Sequence, residues 1–377
     1  MAAAPLAQQA PFGLMSIDMD VENCPPPFMG VGKESFQVYS DAAGSRARSH
    51  QTASTSSVLV ERPFQRQAGA SSGPVFGGLA KQTVVDIDAN NAGNPLACSE
   101  YAADIFDHLH DVECDCRPDP QYMETVQADM TPHMRAILVD WLVEVALEYR
   151  LCSDTLHLTI ALLDRFLSKV PISRDQLQLA GIACMWAASK YEEIYAPTAR
   201  EFCFITDNTY SPEQLVAMEA LVLRGLSFRL TLPTAKAFLR RYLQASAADE
   251  RLHFLASFLC EVALMDEASM RHSPSSIAAA SVFLARAMLG QAPWDATLAH
   301  FSRRRAADVA ATVELVAATH RRVVEEGTFT AIVDKYSSPK LLSVGRAAPL
   351  PAPHVAALLQ AVCAPVVACG GGMALRC

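Results

Sequence analysis

The residues of this 377-residue chain most able to do chemistry are charged side chains that stand inside apolar helical segments. One such segment, residues 134–145, reads Met-Arg-Ala-Ile-Leu-Val-Asp-Trp-Leu-Val-Glu-Val. Its apolar residues cover almost the whole circumference of a helix, which is typical of a helix buried on most sides. Buried helices avoid charges that lack a partner, yet this one carries Arg135, Asp140 and Glu144. The segment therefore predicts charged side chains held by specific partners.

The chain lacks several sequence patterns that mark common enzymes. It has no GxxxxGK[ST] phosphate loop, no GxGxxG motif and no HExxH pair. The adjacent carboxylates of Glu192 and Glu193 diverge by about 100° on a helix, so they cannot share one substrate atom. Ten histidines are spread without metal-ligand spacing, and the 11 cysteines form no CxxC. We predict a protein that is not an enzyme and uses no cofactor or metal, with cysteines reduced in the cytosol or nucleus.

Charge and the length of the apolar runs argue against nucleic acid and membranes as partners. A formal net charge of −9 argues against nucleic-acid binding as the main function, so we predict no nucleic-acid partner. The N-terminus lacks the basic start and apolar core of a secretory signal. No charged residue lies between Arg346 and Arg376, but prolines and a glycine run interrupt this stretch, and its apolar runs are too short for a bilayer. We therefore predict no membrane association and a disordered or loosely packed tail over residues 341–377.

Composition and periodicity indicate the elements that must position these charges. Residues 1–94 are rich in Ala, Ser, Gly, Pro and Gln, so we predict a disordered regulatory tail there. Tyr101, Ile105 and Leu109 then repeat every four residues and predict a one-faced helix. Two groups of five helices follow, separated near Pro233. The first group is predicted over 132–149, 154–168, 175–191, 198–205 and 212–227, and the second over 234–245, 249–265, 274–290, 295–301 and 305–326.

Three of these helices open with the same chemistry. Thr131-Pro132, Ser211-Pro212 and Ser273-Pro274 each place a hydroxyl at the N-cap and a proline at the first helical position. These pairs are also minimal sites for proline-directed kinases, although capping explains them better.

One helix in each group is rich in small residues, which allow neighbouring helices to approach it from all sides. These runs lie in residues 183–189 and 277–281. We predict an all-α protein of two tandem five-helix bundles, over residues 95–230, with a preceding helix, and 231–340.

Several motifs in the same order resemble a known family. Residues 134–145, Ser189-Lys190-Tyr191-Glu192-Glu193-Ile194 and the run from Phe202 to Tyr210 together resemble A-type mitotic cyclins of the plant and green-algal branch. The resemblance covers roughly residues 95–340. It implies two tandem cyclin folds in a regulatory subunit that forms a heterodimer with a cyclin-dependent kinase, activates it and controls S phase and G2/M progression.

The resemblance also implies roles for individual residues. A buried ion pair between Arg135 and Asp164 would fix how two helices cross. The kinase-binding residues would be Lys190, Glu219, Tyr191, Leu223, Phe228, Tyr101 and Ile105. A groove for substrates and inhibitors with Arg-x-Leu motifs would be lined by Met134, Ile137, Leu138, Trp141, Glu144, Arg174, Leu177 and Gln178. Glu144 would pair with the incoming arginine.

The resemblance leaves the degradation signal open and implies a cellular location. The N-terminal segment has no Arg-x-x-Leu destruction box and no Lys-Glu-Asn box, so the mode of degradation stays open. The resemblance implies residence in the nucleus, with some cytoplasmic protein, although Arg303-Arg304-Arg305 is a doubtful import signal because it lies inside the second bundle.

Two rival functions compete with this interpretation. The first is a promoter-binding scaffold built from tandem folds of this kind, which needs a basic face and usually a zinc ribbon; this chain is acidic and has no CxxC. The second is a kinase-independent interaction module that has lost activation, against which an intact Lys190 and Glu219 argue.

Overall fold

The fold consists of helices joined by short loops. A computed structural model describes residues 83–91, 94 and 97–363, and within these residues there are 14 α-helices and no β-strand. None of the described helices is both long and apolar enough to cross a membrane. The helices preceding and forming the first bundle are α1 (Ser99–Val112), α2 (Tyr122–Thr125), α3 (Pro132–Glu148), α4 (Ser153–Leu167), α5 (Leu177–Glu192), α6 (Ala199–Phe204) and α7 (Pro212–Gly225). The second bundle and its extension comprise α8 (Ala235–Ala245), α9 (Glu250–Val262), α10 (Pro274–Met288), α11 (Ala296–Ser302), α12 (Ala306–Glu326), α13 (Ala331–Tyr336) and α14 (Ala352–Cys363).

Each bundle is built around the helix that is rich in small residues, as the sequence predicts. Helix α5 packs against α4 and α7, and α10 packs against α8, α9 and α12. Small side chains on α5 and α10 are buried on almost every side, so neighbouring backbones approach closely while the core stays filled. The two central helices therefore determine where the surrounding helices of each bundle lie.

The predicted helix starts are confirmed by their hydrogen bonds. The side-chain oxygens of Thr131, Ser211 and Ser273 accept from backbone N–H groups three residues later, at distances of 3.3 Å in each case. At Ser211 the cap is reciprocal, because its own N–H donates to Gln214 Oε1 at 2.8 Å.

A buried ion pair fixes the crossing of α3 and α4. Arg135 donates from Nε and Nη2 to the two carboxylate oxygens of Asp164, at 2.8 and 2.7 Å. Tyr122 Oη donates to the same carboxylate at 3.1 Å. The remaining arm of the guanidinium, Nη1, donates to the carbonyl of Leu264 at 2.8 Å, which belongs to the second bundle. Arg135 therefore ties the two bundles together.

A second buried charge lies where the two bundles meet. The carboxylate of Glu261 on α9 accepts from Ser153 Oγ of α4 at 2.8 Å, from Lys335 Nζ at 2.9 Å and from Tyr336 Oη at 2.9 Å. Burial alone would raise the pKa of Glu261, but Lys335 and the neighbouring His157 outweigh it and the pKa is lowered. The glutamate therefore stays ionised in the interior.

Two predicted boundaries need correction. Residues 83–91 belong to the ordered body, because Asp88 forms an ion pair with Arg241, whereas the sequence predicted disorder through residue 94; residues 1–82 lie outside the described part. Residues 352–363 form α14, whose Val355 and Leu359 are buried, and α14 packs against α12, whereas the sequence predicted a disordered or loosely packed tail from residue 341. Residues 364–377 lie outside the described part.

Replacement of Asp164 by asparagine tests the ion pair. Arg135 is 1% exposed, so the change strands a buried charge, and we expect the free energy of unfolding to fall by roughly 3–5 kcal/mol. Urea denaturation of the two proteins measures this difference. The matched control is Asp308→Asn, which breaks an exposed ion pair with Arg305 and should change stability little. A loss below about 1 kcal/mol for Asp164→Asn would show that the pair does not hold the bundles.

Replacement of His320 by leucine tests the pH dependence of the second bundle. Burial, together with the nearby Arg321, lowers the pKa of His320 to about 4 from its usual 6.5. The unfolded chain therefore takes up this proton before the folded chain does, and stability is lost as pH falls from about 6.5 to about 4. We expect His320→Leu to reduce the loss of stability between pH 7 and pH 5 by about 2 kcal/mol in urea denaturation. Identical pH profiles for the two proteins would contradict this assignment.

Candidate functional site: two partner-binding surfaces

The first candidate surface centres on Lys190 and Glu219, which the structure brings together. Lys190 lies near the end of α5 and Glu219 lies in α7, and the Lys190 ammonium forms an ion pair with the Glu219 carboxylate. Glu219 is nearly buried, whereas the lysine side chain is partly exposed. Because the two helices pack directly against each other, a donor and an acceptor are held side by side at the surface.

Trp186 supports this ion pair, a role that the sequence did not predict. The Lys190 Nζ atom lies 3.6 Å from the centre of the Trp186 ring, one helical turn earlier, where the ring face attracts a cation. The indole Nε1 in turn donates to the Pro197 carbonyl at 3.1 Å. An aromatic residue four positions before a lysine in a helix is the sequence signal that would have indicated this contact.

Apolar side chains stand beside the ion pair. Tyr191 is exposed, and its hydroxyl lies 2.6 Å from Thr231 Oγ1. Phe228 is 67% exposed, and Leu223 is half-buried. We refer to Lys190, Tyr191, Glu219, Leu223 and Phe228 together as the Lys190 face.

The backbone after α7 holds Phe228 in an unusual conformation. Ser227 and Phe228 have φ angles of 53° and 57°, in the left-handed region that costs energy for residues other than glycine. The Phe228 N–H donates to the Leu223 carbonyl at 2.9 Å, which closes the end of the helix. The strained backbone of Ser227 and Phe228 therefore holds a large apolar ring in solvent, as expected of a contact surface.

Tyr101 and Ile105 belong to a different element, α1. Tyr101 is 61% exposed and Ile105 is also exposed, so the predicted apolar stripe points outward and only Leu109 of it packs against the core. Ala102 and Phe106 form the inward side instead. The period of four correctly indicated a helix, but it identified the outward side rather than the core side.

The second candidate surface, which we call the α3 groove, lies between α3 and α5. Its outer residues on α3 include Ile137, which is 50% exposed, and Glu144, which is exposed. Met134, Trp141 and Gln178 are half-buried, Arg174 is exposed, and Leu138 and Leu177 are buried beneath them. All eight predicted residues thus lie on these two helices or in the 3₁₀ turn Arg174–Gln176 before α5.

Gly181 allows the floor of the α3 groove to form. A Cβ atom at this position would lie 3.0 Å from Leu138 Cδ1, closer than ordinary contacts allow. The absence of a side chain lets Leu138 settle against α5 and leaves a shallow apolar surface with acidic Glu144 on the same helix. Such a surface is suited to an apolar side chain and a neighbouring cation of a peptide.

A cleft near the α3 groove was not predicted from the sequence. It is lined by Tyr149, Phe204, Tyr210 and Pro212, among others, and Phe204 is exposed. Tyr210 Oη donates to the Asp175 carbonyl at 3.1 Å, which connects the cleft to the turn that carries Arg174. Tyr149 follows the end of α3, Phe204 ends α6 and Tyr210 lies in the loop before α7, so these three aromatic residues produce no periodic signal and only the folded chain shows that they are neighbours.

The described residues contain no cluster of three or more histidine, cysteine, aspartate or glutamate side chains able to hold a metal ion. Both surfaces offer charged groups, Lys190 and Glu219 at one and Glu144 at the other, beside exposed apolar side chains such as Phe228 and Ile137.

Family models match both bundles. The model described as "Cyclin, N-terminal domain" matches residues 104–231, and the one described as "Cyclin, C-terminal domain" matches residues 233–350. The second match thus extends past residue 340, where we predicted the bundle to end, and includes the two 3₁₀ turns Pro339–Leu341 and Val344–Arg346.

Curated relatives share much of the sequence. Cyclin-A2-2 of Arabidopsis thaliana is 47% identical over 271 residues, which cover 70% of this chain and 62% of the relative. Cyclin-A1-2 of Oryza sativa subsp. japonica is 46% identical over 266 residues, which cover 68% of this chain and 55% of the relative. The chain thus matches only 55% to 62% of the length of these two relatives.

A solved structure shares the fold. The X-ray structure of a viral cyclin from herpesvirus saimiri superposes with a TM-score of 0.53 at 22% identity, covering 57% of this chain and 96% of the viral one. At this identity the likeness concerns the fold alone.

Proposed function

Because this chain belongs to the cyclin family, whose members are regulatory subunits of kinases and not enzymes themselves, we propose that it binds and activates a cyclin-dependent protein kinase. The observation that carries the proposal is the Lys190 face, where a paired donor and acceptor stand among exposed apolar side chains. Exposed aromatic rings beside polar groups are typical of the residues that dominate binding energy at interfaces.

Activation requires that the chain bind one kinase conformation better than another. A partner with equal affinity for both conformations shifts neither population, however tightly it binds. In a protein kinase the active conformation has the C-helix turned inward, where its glutamate pairs with the lysine that holds the ATP phosphates. Lys190 and Glu219 together offer a donor and an acceptor to backbone groups of such a helix, and Leu223 and Phe228 offer apolar contact.

The double substitution Lys190→Ala, Glu219→Ala tests this proposal. It removes donor and acceptor together, so neither charge is left without its partner in the free chain. We expect the affinity for a monomeric cyclin-dependent kinase to fall by roughly 30-fold or more, as for residues that dominate an interface. Titration of purified chain against the kinase, with phosphorylation of a histone substrate as readout, measures the change.

The matched control is Arg305→Ala, Asp308→Ala, which removes an ion pair on α12 of the second bundle. It should activate the kinase like the unchanged chain. Activation that survives loss of Lys190 and Glu219 would place the interface elsewhere. If the unchanged chain activates no such kinase, the chain is a kinase-independent interaction module.

The α3 groove supports a second part of the proposal, recruitment of substrates and inhibitors that carry Arg-x-Leu motifs. The specific observation is that Ile137 is exposed on the same helix as Glu144. The leucine of the motif would lie on Ile137, Trp141 and the buried Leu138 beneath them. The arginine would pair with Glu144, and a hydrogen bond between two charged groups is stronger than one between neutral groups.

Replacement of Glu144 by glutamine tests this recruitment. We expect the KM for a substrate containing Arg-x-Leu to rise about tenfold, because a hydrogen bond between charged groups is lost, while kcat is unchanged. A short substrate peptide without the motif should be phosphorylated as before. Glu148→Gln, an exposed glutamate one turn later on α3, is the matched control. An equal rise for both substrates would show that Glu144 acts on the kinase rather than on docking.

We further propose that the complex is a heterodimer that acts in the nucleus, with some cytoplasmic protein, during S phase and G2/M progression. This proposal follows from the resemblance of the sequence motifs to A-type mitotic cyclins. Each arginine of the Arg303-Arg304-Arg305 run pairs with a carboxylate, Asp107, Glu113 and Asp308 respectively, so the proposal of nuclear residence does not rest on this run.

A further inference from the structure

Residues 83–91 form a segment, here called the strap, that lies against the second bundle before α1 begins. The backbone N–H of Val85 donates to Thr297 Oγ1 of α11 at 3.2 Å. Further along the strap, both carboxylate oxygens of Asp88 accept from the two terminal nitrogens of Arg241 on α8, each at 2.5 Å. The strap is thus attached to two helices of the second bundle.

Arg241 joins the strap to α1. Its side chain is only 6% exposed, and its guanidinium carbon lies 5.2 Å from the centre of the Phe106 ring on α1 and 4.8 Å from that of Phe301 on α11. A buried guanidinium needs a counter-charge, and Asp88 supplies it. The hydrogen bonds from Arg241 lower the pKa of Asp88, against a smaller opposing effect of burial, so the carboxylate stays charged.

Phe106 determines which side of α1 faces outward. Its ring also contacts Phe238 on α8, with ring centres 6.4 Å apart. Because Ile105 immediately precedes Phe106 in the helix, a ring held inward turns Ile105 and Tyr101 toward solvent. Both side chains are exposed, as this geometry requires.

The two ends of α1 are anchored differently. At the C-terminal end, the carboxylate of Glu113 accepts from the Ser275 N–H at 3.0 Å and from Ser275 Oγ at 2.8 Å, at the start of α10. Between the ends, Asp107 pairs with Arg303, but both side chains are exposed and such pairs contribute little. The N-terminal half is held by Phe106, whose ring packs against Phe238 and Arg241, and by Ser99 Oγ, which donates to the Asn91 carbonyl of the strap at 3.3 Å.

We propose that Asp88 and Arg241 are positioning residues: the strap locks Arg241 against Phe106, so that α1 presents Tyr101 and Ile105 as a preformed part of the kinase-binding surface. The inference rests on the proposed function and extends it, because it places the start of the binding unit at the strap, before the region matched by the family models.

The variant Asp88→Ala tests the proposal by two independent measurements. Amide hydrogen exchange of α1 in the free chain reports whether the helix is held, and it requires no kinase. We expect faster exchange in the N-terminal half of α1 and unchanged exchange in α3–α7. We expect the Kd for the kinase to rise roughly 3- to 30-fold, the range for residues that act on a site without contacting the ligand. Activity at saturating chain should be unchanged.

Two further variants separate positioning from a general loss of structure. Asp88→Glu keeps the charge that pairs with Arg241 and should restore both α1 exchange and kinase affinity. Asp308→Ala removes a carboxylate from an ion pair on α12 and should alter neither. Asp88→Ala leaves the buried Arg241 guanidinium without its counter-charge, so its thermal midpoint should fall, and unchanged exchange in α3–α7 would show that the loss of structure is local to the strap and α1.

The possible outcomes are distinct. Unchanged α1 exchange in Asp88→Ala would overturn the positioning role. Faster exchange with unchanged kinase affinity would overturn the link between α1 and the kinase. If the unchanged chain binds no kinase at all, the proposed function fails, and the exchange measurement alone decides whether the strap holds α1.

Discussion

The bidentate ion pair between Arg135 and Asp164 is the interaction on which the rest of the structure depends. It fixes the crossing of α3 and α4, and through the Leu264 carbonyl it also fixes the second bundle against the first. A buried charge is expensive unless it is paired and hydrogen-bonded, so this contact tolerates few alternative arrangements. The α3 groove lies on the same helix as Arg135, and the Lys190 face lies on α5, which packs against α3 and α4, and on α7, which packs against α5. The geometry of both surfaces therefore depends on how the Arg135–Asp164 ion pair sets the crossing of α3 and α4.

The regular part of the fold could be predicted from the sequence because its signals are local. Hydroxyl-proline pairs indicated three helix starts, and two runs of small residues indicated the central helices α5 and α10. The strap and α14 could not be predicted in this way. Asp88 is ordered by Arg241, 153 residues away, and no local pattern reports such a partner. Helix α14 has no charged residue in it and is ordered by apolar packing on α12, so its composition resembled a loose tail.

The candidate surfaces, like the fold, could be predicted from the sequence only in part. The resemblance of motifs supplied the residues of both surfaces, and the structure shows that Lys190 and Glu219 meet. It did not supply the contact of Lys190 with Trp186, the left-handed turn at Phe228 or the cleft lined by Phe204 and Tyr210. Each of these depends on which side of an element the rest of the molecule covers. Periodicity alone cannot distinguish an apolar stripe that faces the core from one that awaits a partner.

The buried carboxylate of Glu261 has a consequence for the entropy of association. Its partners come from α4 of the first bundle and from α13 beyond the second, so a hinge motion between the bundles would leave a negative charge without hydrogen bonds in the interior. The free chain is therefore already rigid in the geometry it presents to a partner. A rigid ligand loses little conformational freedom when it binds, so most of its contact energy remains available to reshape the other molecule. In the activation proposed above, this rigidity would confine the conformational change to the kinase.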